Sequence, residues 1–270
     1  MSAPAMKGKV YLMGAGPGDP DLLTVKALRV LRAAEVVLHD DLVSSKILDL
    51  IPASTQVRNV GKRCGQAAIS QEKIHSLLIS AAREGRQVVR LKGGDPLLFG
   101  RVGEEMEALS LAGIDFEVVP GVTSAMVAAA AAKIPLTDRR FASKLVFVSH
   151  HAAGDTPAVW DDVISQDATH VVYMPGADYS EIAARLSAGG LNGRTPCLVV
   201  ANATQAEQQI HRTTLHQLAL EPHLPAPALL IIGDVARPLP HFEEGGKASP
   251  RAASKPHEEV LHLTDTPIRA

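Results

Sequence analysis

The chain has 270 residues, 46% of them hydrophobic, with 27 basic side chains against 29 acidic ones. This length allows a sizeable core in one large or two medium α/β domains. The balanced charge provides no global field for nucleic acid, and the 3% of aromatic residues leaves little surface for stacking bases. Because Cys64 and Cys197 lack CxxC spacing, we expect inert thiols, no disulfide framework and no metal site.

The sequence shows neither a signal peptide nor a membrane-spanning segment. The first nine residues lack the apolar segment of a signal peptide. No run approaches the roughly 20 apolar residues that a membrane span needs. We therefore expect a cytoplasmic protein with no membrane partner.

Apolar, β-branched runs alternate with helical patterns along the chain, which is typical of a mostly parallel sheet covered by helices on both faces. The predicted strands are residues 10–13, 36–39, 88–91, 116–119, 145–149, 171–174, 198–201 and 229–233. The predicted helices are residues 22–32, 71–83, 103–111 and 181–187. The first helix has one apolar face, and Asp19 or Asp21 is its expected N-cap. The sequence thus predicts an α/β protein.

The two sets of strands are separated by Pro120-Gly121-Val122-Thr123-Ser124 and an alanine-rich stretch at 125–132. Small side chains let such a helix pack closely against a neighbour or a ligand, or simply within the core. We place a domain boundary near Pro120, giving domains at 1–119 and 120–240. The segment 241–270 has no periodic apolar face and is predicted to be a disordered tail.

The first glycine-rich turn spans residues 14–20, between a predicted strand and a helix. Such a turn lets the backbone approach a ligand closely. Its spacing departs from the dinucleotide fingerprint, and Pro17 removes an N–H that a phosphate would use. A nicotinamide or flavin site is therefore disfavoured.

A second glycine turn, Lys92-Gly93-Gly94-Asp95-Pro96, also follows a strand directly. The two turns are placed to line one cleft at the carboxyl edge of a sheet. Asp95 either accepts hydrogen bonds from a ligand or caps a helix. Arg101, which follows Gly100, is either a fork for a carboxylate or a solvated loop charge.

Charged residues also follow the second strand and a third glycine. Asp40 and Asp41 are adjacent, so their side chains point in opposite directions and at most one faces a cleft. Lys62 and Arg63, beside Gly61, form either an anion site or a solvated basic loop.

Eight segments together make the sequence resemble the tetrapyrrole methylase family. They are residues 14–19, 39–43, 61–63, 91–96, 99–101, 119–124, 135–139 and 173–174, within a match from about Lys9 to Pro238. Each motif is weak alone, but eight in register are a specific signal. Within the family the motifs are most similar to those of the branch that methylates uroporphyrinogen III.

The resemblance implies a two-domain class III methyltransferase fold with the active-site cleft between the domains. It also implies a homodimer, S-adenosylmethionine (SAM) as methyl donor and S-adenosylhomocysteine as product. By position, the cofactor-binding residues would be Pro17, Gly93, Gly94, Asp95, Leu98, Thr123, Ser124, Met174, Ala203 and Ala228. Pro17 is then no obstacle, because SAM has no pyrophosphate.

The implied reaction is methylation of uroporphyrinogen III at C-2 and C-7, giving precorrin-2 by way of precorrin-1. Residues implied in catalysis are Asp40 as proton acceptor, Lys62 as proton donor, and Arg101 and Glu104, which hold or deprotonate the macrocycle. Arg101, Arg139 and Met174 would bind substrate, with Arg63 and Arg140 as nearby cations. The sequence departs from the commonest family pattern at His39, Ser124, Asp138 and Ala203.

Three alternatives remain open at this stage. One is another SAM-dependent tetrapyrrole methylase acting on a precorrin. The second is a nicotinamide-dependent dehydrogenase. Asp40 or Asp41 would be the acidic residue that such an enzyme needs at the end of its second strand, but Pro17 is incompatible with its glycine motif. The third is a catalytically silent binding protein with the same fold. Measuring the equilibrium binding of SAM and of NAD distinguishes a methylase from a dehydrogenase. Measuring turnover distinguishes an enzyme from a silent binding protein.

Overall fold

The computed structural model describes residues 8–61, 69–150 and 161–238, which belong to one compact unit. The expectations for Lys62, Arg63, Cys64 and the tail from residue 241 onward lie outside the described residues. In the described part of the chain, no helix is both long and apolar enough to cross a membrane.

The first sheet is entirely parallel, as predicted for this part of the chain, with strand order β3-β2-β4-β1-β5. Its strands are β1 (Lys9–Gly14), β2 (Val36–His39), β3 (Gln56–Asn59), β4 (Gln87–Lys92) and β5 (Asp115–Val119). The helices between them are α1 (Val25–Ala33), α2 (Ser45–Leu48), α3 (Gln71–Arg83) and α4 (Val102–Leu111). Because all five strands run in one direction, the loops after them meet at one edge of the sheet.

The second sheet has strand order β6-β7-β10-β8-β9, and only its β6–β7 pair is parallel. Its strands are β6 (Lys144–Ser149), β7 (Ala168–Tyr173), β8 (Pro196–Ala201), β9 (Gln209–Thr214) and β10 (Ala228–Ile232). The helices here are α5 (Ser124–Ala131), α6 (Ser180–Ala188) and α7 (Leu215–Leu218). The prediction of a mostly parallel sheet is wrong for this half, because β10 inserts between β7 and β8 and runs against both.

Two edge strands were not predicted. Three of the four residues of β3 and four of the six residues of β9 are exposed. Edge strands of this kind are polar, so they lack the apolar runs by which the other strands were recognised.

The N-terminus of α1 also differs from the prediction. The helix begins at Val25, and the Thr24 hydroxyl accepts a hydrogen bond from the N–H of Ala27 at 3.1 Å. Asp19 instead caps a short 3-10 turn at Pro20–Leu22, where it accepts from the N–H of Asp21 at 3.0 Å. The bounds predicted for α3 are confirmed.

Helix α5 packs on the second sheet through its small side chains. Ala125, Ala128 and Ala129 are buried against residues that include Val171 and Ile231. Pro120 lies between β5 and this helix, and a domain boundary there stays a prediction. The packing holds the N-terminus of α5 beside the edge of the first sheet where the strand-end loops lie.

Cys197 is buried in the core of the second sheet. Burial raises the pKa of its thiol to about 12. It is therefore protonated at neutral pH and a poor nucleophile, as predicted for an inert thiol.

Candidate active site

Four glycines at the carboxyl edge of the first sheet bring the loops after β1, β4 and β5 into direct backbone contact. The N–H of Gly16 donates to the carbonyl of Gly94 at 3.1 Å, and the N–H of Gly94 donates back to Gly16 at 2.8 Å. A Cβ on Gly14 would lie 2.6 Å from the Gly94 oxygen, and one on Gly121 would lie 2.3 Å from it. Gly14 and Gly121 are therefore needed for this approach.

Gly94 differs from its neighbours because one side of its backbone is open. Its φ is +68°, and the nearest atom to a Cβ built on it is the backbone nitrogen of Ser124, at 4.0 Å. The same construction on Gly93 would meet the Leu42 side chain at 3.0 Å. The free space at Gly94 thus adjoins the N-terminus of α5, which favours polar or anionic ligand groups.

Asp95 links two of these loops. Its Oδ1 accepts from the N–H of Leu97 at 2.8 Å, and its Oδ2 accepts from the N–H of Gly121 at 2.9 Å. Asp95 therefore closes a turn and holds two loops together, and it does not cap a helix, because α4 begins only at Val102. Each carboxylate oxygen retains a lone pair for a second donor, so a contact with a ligand is compatible with these bonds.

Loops from the two sheets approach each other near Pro17. A Cβ on Gly18 would lie 3.5 Å from the side chain of Gln205. Ala203 belongs to the same turn after β8, in which Thr204 has a φ of +71°. Gly18 and Gln205, which are close to Pro17 and Ala203 in the sequence, thus bring these two loops together.

Tyr173, at the end of β7, contacts the predicted site residue Thr123 and the ring of Phe99. Its hydroxyl lies 2.6 Å from the Thr123 hydroxyl, and its ring is tilted against Phe99 at 5.0 Å between centroids. Phe99, Arg101 and Met174 have φ values of +53°, +54° and +51°. Left-handed backbone at non-glycine residues is costly and is concentrated at functional sites.

Arg101 and Glu104 pair with each other at the start of α4. Two parallel hydrogen bonds, at 2.8 and 2.7 Å, join the guanidinium to the carboxylate. These bonds lower the pKa of Glu104 and raise that of Arg101. Both side chains are exposed, so the pair contributes little to stability and Arg101 is accessible to an anionic ligand.

A buried ion network lies behind this surface, and the sequence reasoning missed it. Arg90 donates from Nε to Glu105 Oε1 at 2.9 Å and from Nη2 to the Asp40 carboxylate. Lys92 Nζ lies 3.1 and 3.2 Å from the two Glu105 oxygens. Arg90, Lys92 and Glu105 are buried. The sequence signal for this network was the presence of two cationic residues, Arg90 and Lys92, in the largely apolar strand β4.

Two electrostatic effects oppose each other in this network. Burial disfavours the charge on Arg90, but Asp40 and Glu105 outweigh it and raise the pKa of the guanidinium. Burial, reinforced by the neighbouring Arg90, lowers the pKa of Lys92 even though Glu105 favours its charge. The carboxylate of Asp40 is consequently held by a cation that stays charged.

The two adjacent aspartates have different partners, as expected for side chains that point in opposite directions. Asp40 binds Arg90, whereas Asp41 Oδ1 accepts from Asn59 Nδ2 at 2.6 Å. The N–H of Gly61 donates to Asn59 Oδ1 at 2.8 Å. Lys62, the predicted proton donor, lies outside the described residues.

The remaining predicted residues lie in separate segments of the chain. Leu98 is half-buried beside Asp95, Met174 is exposed after β7, and Ala228 opens β10. Arg139 is exposed. Its neighbour Arg140 is bound to Asp138, and these hydrogen bonds lower the pKa of Asp138 to about 2.

The sequence profile of the Tetrapyrrole (Corrin/Porphyrin) Methylases matches residues 9–219. The chain belongs to this family. The fold agrees: a crystal structure of uroporphyrin-III C-methyl transferase from Thermus thermophilus, complexed with S-adenyl homocysteine, superimposes with a TM-score of 0.75 and 40% identity. The superposition covers 85% of this chain and 93% of that one. The arrangement of two α/β sheets is therefore the tetrapyrrole methylase fold.

Two curated relatives have similar identity but different lengths. Uroporphyrinogen-III C-methyltransferase of Pseudomonas aeruginosa is 46% identical over 237 residues, which are 87% of this chain and 96% of that protein. Siroheme synthase 1 of Yersinia enterocolitica is 46% identical over 231 residues, or 85% of this chain. The methylase described here spans about half (49%) of the siroheme synthase.

Proposed function

We propose that this chain is a SAM-dependent C-methyltransferase that methylates uroporphyrinogen III at C-2 and C-7, forming precorrin-2 through precorrin-1. The relative from Pseudomonas aeruginosa, which the chain matches over nearly its full length, carries the name of that activity. The structural observation that supports it best is the open backbone at Gly94. That space lies next to the N-terminus of α5, in a segment for which the resemblance implies cofactor binding.

The residues at this edge fit SAM. A ligand with an amino-acid group and ribose hydroxyls needs close backbone approach and several hydrogen-bonding partners. Gly94 offers the approach, while Thr123 and Asp95 offer polar side-chain atoms. The proposed cofactor residues are those implied by the resemblance: Pro17, Gly93, Gly94, Asp95, Leu98, Thr123, Ser124, Met174, Ala203 and Ala228. When bound, SAM supplies an electrophilic methyl group.

The tetrapyrrole side of the site is proposed to include Arg101, Met174 and Arg139. The substrate carries acetate and propionate groups, and a guanidinium binds a carboxylate through two parallel hydrogen bonds. Glu104 binds the edge of the Arg101 guanidinium formed by Nε and Nη2, and the exposed guanidinium has a second edge, formed by Nη1 and Nη2, for a substrate carboxylate. Positioning of this kind supplies much of the acceleration in a two-reactant transfer.

The chain must also remove a proton, because attack by a pyrrole carbon leaves a cationic ring. We assign this role to Asp40, at the end of β2. Arg90 holds the Asp40 carboxylate in an ion pair and balances its charge. Glu104 is the other carboxylate in the proposed set; both of its oxygens accept hydrogen bonds from Arg101, which lowers its pKa. Lys62 is proposed as proton donor on resemblance alone.

The first experiment is calorimetric titration of the purified protein with SAM, S-adenosylhomocysteine and NAD in parallel. We expect micromolar or tighter binding of the first two without added metal, and no binding of NAD. Incubation with SAM and uroporphyrinogen III should then give a dimethylated product by mass spectrometry. Binding of NAD with no SAM binding contradicts the proposal. A monomethylated end product assigns a different methylase.

The assembly is proposed to be a homodimer in the cytoplasm, as the resemblance implies. Light scattering of the purified chain measures the first point directly. A monomeric mass at working concentrations of enzyme, with full methyl transfer, refutes the homodimer.

A further inference from the structure

The N-terminus of α5 has an unusual cap. Thr123 occupies the N-cap position, where a threonine hydroxyl normally accepts from a backbone N–H in the first turn. Its side chain makes no such bond. Instead the Tyr173 hydroxyl, from β7, accepts from the N–H of Ala125 at 3.3 Å and pairs with the Thr123 hydroxyl at 2.6 Å. A residue 50 positions away therefore takes the place of the capping side chain.

This arrangement leaves one hydroxyl hydrogen for another acceptor. The Thr123 and Tyr173 hydroxyls carry two hydrogens, and their mutual bond uses one of them. Whichever hydroxyl donates in that bond, the other retains its hydrogen. Both side chains are only half-buried, so a ligand bound beside the first turn of α5 can accept from it.

The ring of Tyr173 has a second set of contacts. It packs against Phe147 on β6 at 5.9 Å between centroids and against Phe99 at 5.0 Å. Phe99 lies two residues before Arg101, and both have left-handed backbone. One side chain thus joins the first turn of α5 to the loop that carries Arg101.

We propose that Tyr173 is a positioning residue, which caps α5 from the second sheet and thereby fixes Thr123 and Ser124 for SAM. The proposal rests on the function proposed above. The hydroxyl acts on the cofactor side by holding the turn beside Gly94 and by orienting the Thr123 hydroxyl. The ring supports the loop on the substrate side and keeps the hydroxyl in place.

The decisive variant is Tyr173→Phe, which removes the hydroxyl and retains the ring. Loss of one hydrogen bond of this kind should raise the calorimetric Kd for SAM roughly three- to tenfold. We expect kcat at saturating SAM and the KM for the tetrapyrrole to stay near wild type. In a Thr123→Val background, Tyr173→Phe should raise the Kd for SAM less than it does in the wild type, because the bond between the two hydroxyls is already lost.

Tyr179 offers a matched control. Its hydroxyl accepts from the N–H of Leu224 at 3.1 Å, in the same half of the molecule. Tyr179→Phe should lower the melting temperature by as much as Tyr173→Phe while leaving the Kd for SAM unchanged. That difference separates positioning from a general loss of stability.

The outcomes distinguish the two proposals. A wild-type protein that fails to bind SAM refutes the proposed function. If the wild type binds SAM, an unchanged Kd in Tyr173→Phe overturns the assignment of Tyr173, and so does an equal rise in Tyr179→Phe. Full additivity of Thr123→Val and Tyr173→Phe also overturns it.

Discussion

The Arg101 guanidinium and the Glu104 carboxylate are joined by two hydrogen bonds, Nε to Oε1 at 2.8 Å and Nη2 to Oε2 at 2.7 Å. Arg101 is also the N-cap residue of α4, in left-handed backbone, and 60% of its side chain is exposed. A planar, pre-oriented guanidinium in such a position suits recognition of a substrate carboxylate. The pair is therefore the most direct place to test the substrate side of the site.

We predict that Arg101→Lys keeps SAM affinity near wild type while precorrin-2 formation falls. Lysine keeps the charge but not the two-pronged geometry. The loss of one charge-assisted contact corresponds to a roughly ten- to hundredfold lower rate. Steady-state kinetics and calorimetry measure the two effects separately.

Arg185→Lys is the matched control for that change, because Arg185 also pairs with a glutamate on a helix, at Glu181. It should leave turnover almost unchanged. If Arg101→Lys lowers the affinity for SAM but retains methyl transfer at saturating SAM, Arg101 belongs to the cofactor side of the site.

Gly94→Val should abolish SAM binding. The new side chain would occupy the open space beside Ser124, and the left-handed backbone adds strain. Gly113→Val is the control, since Gly113 has a φ of +67° and equally open surroundings in the turn after α4. Both substitutions should lower the melting temperature by a similar amount, but only Gly94→Val should show no calorimetric response to SAM. A response of wild-type affinity in Gly94→Val means that SAM binds elsewhere.

The contact between Phe99 and Tyr173 predicts a defect on the substrate side. Phe99→Leu removes the ring that supports the Arg101 loop, so the KM for the tetrapyrrole should rise several-fold while the Kd for SAM stays constant. Phe147→Leu removes the other ring contact of Tyr173 and leaves that loop alone. A larger rise in the tetrapyrrole KM for Phe147→Leu than for Phe99→Leu contradicts this reasoning.

Glu105 is predicted to be among the most sensitive positions for stability. Glu105→Gln leaves Arg90 and Lys92 buried with one carboxylate fewer, and breaking such a network costs about 3–5 kcal/mol. Glu107→Gln, on the exposed face of the same helix, should change stability by no more than about 0.5 kcal/mol. Urea unfolding followed by circular dichroism measures both. Equal midpoints for the two variants contradict the structural role of the network.

The pH dependence of the pair formed by Asp138 and Arg140 is also predictable. Hydrogen bonds from Arg140 lower the pKa of Asp138 from 3.8 to about 2 in the folded protein. The pair therefore contributes its full stabilisation above about pH 3.8 and loses it as the pH falls to about 2. Carboxyl NMR titration should show the low pKa in the wild type and a rise in Arg140→Gln. An unchanged Asp138 titration in that variant assigns the shift to another cause.

Local sequence determined the elements whose signal is short in range. Buried parallel strands such as β1 and β4 appear as apolar runs, and the glycine turns after them need particular residue types wherever the strands end. The order of these turns along the chain was enough to indicate the family. Helix α3 was delimited correctly because its apolar face and its Ser70 cap both lie within one segment.

Only the tertiary structure decided which distant residues meet. Nothing local in the sequence pairs Arg90 with Asp40, 50 residues earlier, or Tyr173 with Thr123, 50 residues earlier. The same holds for the direction of β10 between β7 and β8. The periodicity of apolar residues indicates which residues are buried. The side-chain partners and the strand directions depend instead on how the whole chain folds. The site's motifs were therefore visible in the sequence, but the side chains that hold them in place were not.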